Sequence, residues 1–372
     1  MSKWKVPYVN FPIVYKDMGE EIITEIRRVL AGGDLILRDD VASFEANFAK
    51  FLGMEYAIGV GNCTDALRLS LRCLGIGEGD EVITSSHTFL ATLDAIVDVG
   101  ATPILVDSGK DYNMDTSKLE AAVSNRTVAI MPVHLNGRVC NMDVVMGIAE
   151  EYKLLVIEDA AQALGATYKG RKAGTFGVAS AFSFYPAKIL GTVGDGGMVV
   201  TNDSVFDYLL RAMRDYGRVK GQEQVTGYGQ NSRLDNVHAA ILNLKLRSVP
   251  KWINRRREIA SLYNNNLSIF YDSAKLQVHS EVGSDYYDVY QNYVIRADRR
   301  DELIQYLADN GVECLVHWKT PLHKQLSLRL EDYVLPETES ISNEVVSLPM
   351  YPELTNEQVL YVCEKIREFY SG

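Results

Sequence analysis

The chain has 372 residues, 47% of them hydrophobic and 23% charged, with a formal net charge of −11. That is enough apolar material for a large core divided between two domains, and the acidic balance argues against broad binding to nucleic acid or anionic membranes. Apolar runs fall short of the roughly 20 residues that span a bilayer, and the start M-S-K-W-K-V-P lacks an apolar signal segment, so a cytoplasmic location is expected. Five cysteines without C-x-x-C spacing and six histidines without ligand spacing predict neither a disulfide framework nor a bound metal.

In chain order, apolar residues at 22, 23, 26, 29 and 30 recur at helical spacing within Asp17 to Ala31, and Gly32-Gly33 closes the element. A second helix is expected from Asp40 to Leu52, with Phe44, Phe48 and Phe51 on one side. Short apolar runs then alternate with helical stretches: Ala57 to Val60, Glu81 to Thr84, Thr102 to Val106, Thr127 to Val133, Leu154 to Glu158, Ala179 to Phe184 and Met198 to Thr201. This alternation predicts an α/β fold on an open, mostly parallel seven-stranded sheet. A large domain over residues 1–247 is expected, then a smaller C-terminal α/β domain over 248–372, with the basic helix after Pro250 as the hinge. In the small domain, strands are expected over Asp288 to Ile295 and Glu313 to His317, and helices over Arg300 to Asn310 and Asn356 to Tyr370. Met1 to Pro12, with Tyr8, is expected near this domain and the mouth of the site.

Ligands in open parallel sheets sit beyond the carboxyl ends of the strands, so the residues after each run carry the functional signal. Gly61-Asn62-Cys63-Thr64 opens a helix whose free N–H groups and dipole suit a phosphate, with the Thr64 hydroxyl as a further donor; an ordinary helix cap at Asn62 or Thr64 fits the same stretch. His87, after the second run, is a flat ring able to stack on a flat ligand. Asp159 is a carboxylate at the tip of a buried strand, where it needs a cation or donors; a simple cap is again an alternative. Lys188 follows the Tyr185-Pro186 turn in apolar surroundings, with glycines at 191, 194, 196 and 197 after it, and desolvation there would lower its pKa and make it a nucleophilic amine. A phosphate cradle, a stacking ring, a carboxylate and an amine together meet the needs of pyridoxal phosphate.

Across nearly its whole length the sequence resembles the DegT/DnrJ/EryC1/StrS family of sugar aminotransferases, pyridoxal-phosphate enzymes of the aspartate-aminotransferase fold (fold type I). The resemblance is carried by G-N-C-T-D-A-L at 61–67, S-S-H-T-F-L-A-T at 85–92, P-V-H-L-N-G-R at 132–138, E-D-A-A-Q-A-L-G-A at 158–166, S-F-Y-P-A-K at 183–188, G-D-G-G at 194–197 and G-Q-N-S-R-L-D-N-V-H-A-A at 229–240. It implies that Lys188 holds the cofactor aldehyde, Asp159 pairs with the pyridinium nitrogen, Gln162 approaches the ring hydroxyl and His87 stacks on the ring. It further implies phosphate contacts from Cys63, Thr64, Ser183 and Asn231 of the partner subunit, and hence a homodimer with shared active sites.

Lysine at position 188, where the dehydrating branch of the family carries histidine, favours amino transfer from glutamate to a keto sugar. The L-V-H-W-K-T-P-L-H-K-Q stretch at 315–325 is similar to members that aminate C3 of a nucleotide-linked, usually dTDP-linked, 3-keto-6-deoxyhexose, which implicates His317 and His323 as sugar contacts; Tyr185 is a third candidate. Two other readings stay open: amination at C4 of a GDP-, UDP- or dTDP-linked 4-keto sugar, and a non-catalytic regulatory protein that binds the cofactor. Asn136 stands where relatives have tyrosine, and Arg38-Asp39-Asp40 departs from the usual G-P-E; both bear on which sugar is bound.

Overall fold

The computed structural model describes residues 4–219, 221–270, 273, 275–278 and 283–371. The first three residues of the predicted N-terminal segment lie outside that set. Seven strands form the central sheet: β1 (Tyr56–Val60), β2 (Glu81–Ser85), β3 (Thr102–Val106), β4 (Thr127–Ile130), β5 (Leu155–Asp159), β6 (Ala179–Ser183) and β7 (Gly197–Thr201). Their order across the sheet is β1-β7-β6-β5-β4-β2-β3, and only β7 runs against the others.

Both faces of this sheet are covered, which is why its strands read as unbroken apolar runs. Ala57, Ile83, Ile130, Val156 and Phe182 face one core, and their neighbours Ile58, Val82, Ala129, Ile157 and Ala181 face the other. Helices α1 (Phe11–Gly32) and α2 (Asp39–Leu52) precede β1, and α2 sends Phe44 and Phe48 into the first core, edge-on to Phe182 and Phe184. Helix α3 (Cys63–Cys73) follows β1 and α4 (Leu90–Asp98) follows β2, so their N-termini gather at one end of the sheet.

A third core surrounds a small sheet of β8 (Leu276–Gln277), β9 (Tyr293–Ala297) and β10 (Val345–Leu348). The helix over Val249–Leu267, here α5, passes from one body to the other: Val249 and Ile253 belong to the first core, Ile259, Tyr263 and Leu267 to the third. Tyr286, Tyr287 and Val289 return to the first core, so the stretch expected as one strand from Asp288 to Ile295 is a loop through Asn292 followed by β9. The segment 313–317 is not a strand either. It is laced irregularly between two neighbours, with the Glu313 N–H on Val6 O at 2.9 Å and Leu315 pairing Ser347 through an isolated bridge. Val6 also pairs with Val312, which brings the N-terminal segment onto the small body.

Candidate active site

The strand ends enclose a cavity of about 690 Å³, lined by Cys63, Thr64, Asp159, Gln162, Ser183, Tyr185 and Lys188 from the large sheet's side. Tyr8, Gln291, Asn292, Glu313, His317 and Trp318 complete it from the other. The sheet order explains the convergence, because β5, β6 and β7 are adjacent and β1 pairs with β7, so turns distant in sequence become neighbours.

At the start of α3, the Asn62 side chain accepts the Asp65 N–H at 2.8 Å and its carbonyl accepts the Ala66 N–H at 3.1 Å. The cap and the cradle are therefore compatible: Asn62 serves the deeper amides, and those of Cys63 and Thr64 belong to the unsatisfied first turn that attracts an anion. Gly197 permits this approach, since a side chain there would collide with the Asn62 peptide. Burial pushes the Cys63 thiol well above its usual range, Asp159 adds to this and Lys188 opposes it, so the sulfur stays an uncharged wall atom.

Asp159 is only 5% exposed. Its Oδ2 accepts from Thr92 Oγ1 at 2.8 Å and its Oδ1 from the Ala161 N–H at 3.2 Å. Burial still holds its pKa above the ordinary aspartate value, against the pull of these donors and of Lys188. Burial lowers the Lys188 pKa, with Cys63 and Asp159 working the other way, so the neutral amine is favoured relative to a free lysine. Gln162 Oε1 accepts the Asn136 N–H at 2.8 Å and Asn292 Nδ2 at 3.3 Å. A backbone N–H can only donate, so the amide orientation is fixed and Nε2 is the end left for a ligand.

Two predicted residues, His87 and His323, sit elsewhere than expected. His87 is 3% exposed and does not line the cavity; its ring lies edge-on to Trp318 at 5.4 Å, and burial, reinforced by His317, lowers its pKa to about 3. The ring that faces the cavity is Phe89, 60% exposed, at the cap of α4. The chain leaves β2 at Ser85, so the strand's in-and-out alternation no longer governs which ring faces the ligand. His323 is fully buried behind the wall, between Ser86 Oγ at 2.7 Å and Glu339 Oε1 at 3.2 Å, and cannot touch a ligand in the cavity. Asn231, expected to serve the partner subunit's site and not its own, lies on the exposed surface outside this chain's cavity, bridged to Asp215.

His317 and Tyr185 do line the cavity. His317 Nδ1 bonds Ser347 Oγ at 2.8 Å, and burial, with Lys188 adding to it, lowers its pKa to about 4. Tyr8, Gln291, Asn292 and Trp318 reach the site from loops remote in sequence; of these Tyr8 is signalled by its place in the N-terminal segment and Trp318 only as part of the 315–325 stretch. Among the described residues no group of three or more His, Cys, Asp or Glu side chains is arranged to hold a metal ion, and no helix is long and apolar enough to cross a membrane.

The donor set fits pyridoxal phosphate. A helix N-terminus suits its phosphate, a desolvated amine its aldehyde, an under-neutralised carboxylate its pyridinium nitrogen and an oriented amide N–H its ring oxygen. With this cavity at the ends of a seven-stranded, mostly parallel sheet, the protein is a pyridoxal-phosphate-dependent aminotransferase of fold type I. The chain matches the DegT/DnrJ/EryC1/StrS aminotransferase family over residues 16–367 and belongs to it. It is 41% identical over 370 residues to a pleiotropic regulatory protein of Geobacillus stearothermophilus, covering 98% of both chains. It is 38% identical over 369 residues to the dTDP-3-amino-3,4,6-trideoxy-alpha-D-glucose transaminase of Streptomyces venezuelae, covering 98% of this chain and 96% of the relative. The crystal structure of S. venezuelae DesV in complex with a ketimine intermediate superposes with a TM-score of 0.94 at 38% identity, covering 99% of each chain.

Proposed function

We propose that the protein moves an amino group from glutamate to a nucleotide-linked keto-6-deoxy sugar, at C3 of a dTDP-3-keto-6-deoxyhexose. The observation that carries this reading is the pairing of an amine shifted toward neutrality with an under-neutralised carboxylate in one cavity. The likeness to a dTDP-3-amino sugar transaminase supports the choice of sugar. Pyridoxal phosphate, when bound, supplies an electron sink for the carbon next to the transferred nitrogen.

The chain's own residues do the rest. Lys188 Nζ takes the proton from that carbon and returns it, a task that needs the neutral amine its burial favours. Asp159 keeps a positive nitrogen opposite it, Gln162 Nε2 donates to the ring oxygen, and the Cys63 and Thr64 amides with Ser183 hold the phosphate. Phe89 takes the ring-covering role first expected of His87. Tyr185 and His317 face the sugar, while His323 supports the wall through Ser86. In this reading the protein works as a homodimer in the cytoplasm, with Asn231 of the partner subunit reaching the phosphate.

The test is incubation with glutamate and a panel of dTDP-, GDP- and UDP-linked keto sugars, with the new amino group located by NMR. A C3 amino sugar from the dTDP substrate is the expected product, and amination at C4 would replace the sugar assignment. Lys188→Ala is expected to abolish turnover, and a variant that still transaminates would end the reading. The regulatory name of the Geobacillus relative makes the turnover assay the decisive one, because a pure sensor converts no glutamate.

A further inference from the structure

The turn that carries Lys188 is tightly closed. The Lys188 N–H bonds Tyr185 O and the Thr192 N–H bonds Phe184 O, both at 2.8 Å, and a side chain at Gly191 would run into Pro186 O. The peptide groups on either side of the lysine, Ala187 O and Ile189 N–H, point away from these bonds, and one side chain takes both. Gln291 Oε1 accepts the Ile189 N–H at 3.0 Å, and Gln291 Nε2 donates to Ala187 O at 2.9 Å. One partner can only donate and the other can only accept, so the amide has a single workable orientation.

Gln291 is 8% exposed and lines the cavity from the loop before β9. That loop is gripped in turn by Arg256 of α5, whose Nη1 donates to Gln291 O at 3.3 Å, Tyr290 O at 3.0 Å and Met350 O at 3.1 Å. The neighbouring Asn292 touches Gln162 and accepts from Tyr8 Oη at 2.9 Å. The lysine turn is thus fastened from the small-sheet side by a two-pronged amide.

We infer that Gln291 is a positioning residue that sets the height and direction of Lys188 and couples the lysine turn to the loop held by Arg256. This rests on Lys188 being the amine that receives the cofactor. Gln291→Met keeps the side chain's length and removes both bonds. Gln291→Glu keeps an acceptor for Ile189 and sets a carboxylate oxygen against Ala187 O, unless that oxygen is protonated and can donate again.

Cofactor-free protein would be mixed with pyridoxal phosphate in a stopped-flow instrument, and the visible absorbance of captured cofactor followed across pH, beside the thermal midpoint and the cofactor dissociation constant. Gln291→Met is expected to capture the cofactor more slowly, on the order of ten- to a hundredfold, the effect of displacing a reacting group by about 1 Å. Gln291→Glu is expected to be slow at neutral pH and to approach the native rate, compared at each pH, as acid protonates the new carboxyl. A native capture rate and pH profile in Gln291→Met would overturn the inference. Should that variant not fold, a Gln291→Glu to native ratio that stays flat with pH would do the same. Native protein that captures no pyridoxal phosphate would instead sink the Lys188 reading, a failure visible before any variant is compared.

Discussion

Glu158 and Asp159 are consecutive carboxylates on β5, and they end up in opposite circumstances. Glu158 is fully buried and meets five donors: His134 Nε2, the Gly174, Phe176 and Gly177 amides, and Ser180 Oγ. Because His134 Nδ1 accepts the Cys140 N–H, its Nε2 carries the proton given to Glu158. Burial pushes the Glu158 pKa up, yet the His134 and amide contacts outweigh it and leave it below the ordinary glutamate value. Asp159, one residue on, has two donors for a comparable loss of water, and its pKa stays raised. The saturated carboxylate fastens the fold, and the under-saturated one is left for a cationic ligand to complete.

The largest expected effect that would break this contrast comes from Asp159→Asn. It should cut kcat/KM by roughly 10³-fold, in the range of losing one preorganised electrostatic group, while leaving the protein folded; the measurement is steady-state turnover with glutamate beside circular dichroism. Glu158→Gln should do the reverse. It should lose roughly 2–4 kcal/mol in urea denaturation, because the charge that its donors are arranged around is gone, with near-native turnover per folded molecule. If Glu158→Gln were stable and inactive, the division of labour would be wrong.

Smaller effects sharpen the comparison. Thr92→Val removes one of the two donors to Asp159 and should reduce turnover roughly tenfold, the weight of one hydrogen bond to a charged group; steady-state kinetics would show it. The pH dependence should carry opposite signs at the two positions. Glu158 has a lowered folded pKa, so its stabilisation is present above the unfolded glutamate value and is lost as pH falls through the folded one. Asp159 has a raised folded pKa, so in cofactor-free protein its contribution is present below the unfolded aspartate value and is lost as pH rises through the folded one. Asp159→Asn should therefore raise the thermal midpoint of cofactor-free protein at neutral pH and lose that advantage in acid, which differential scanning calorimetry at two pH values would detect.

The sheet was legible because its strands are buried on both faces and leave uninterrupted apolar runs; predicted and observed ends differ mostly by a residue or two, as at Ala57 against Tyr56. Thr127 to Val133 was read three residues too long, because Met131 and Val133 are buried beyond the end of β4. Lys188, Asp159 and the Cys63-Thr64 turn were legible for a related reason, since each lies at or shortly after the carboxyl end of a strand and the sheet delivers it to the cavity. What stayed hidden comes from the other body. Asp288 to Asn292 looked like the start of a strand, yet it is the loop whose amides grip the lysine turn and Gln162, and no periodicity announces such contacts. His87 is suggested by its ring at a strand end and His323 by the resemblance of the 315–325 stretch, but a histidine can be fully hydrogen-bonded or enclosed behind a wall, and only the packing distinguishes that from facing a ligand.

The lacing of Val6 and Tyr8 to residues 311–313 has a consequence for synthesis. The Tyr8 N–H donates to Glu313 Oε2 at 2.9 Å, across a separation of 305 residues. A nascent chain can therefore assemble the sheet and present Lys188 while this rim of the pocket is still missing, and the rim closes only after residue 313 has left the ribosome. Cofactor captured before that moment would sit in an open dish, exposed to water and to stray amines, so the order of translation itself sets when the pocket becomes a sheltered one.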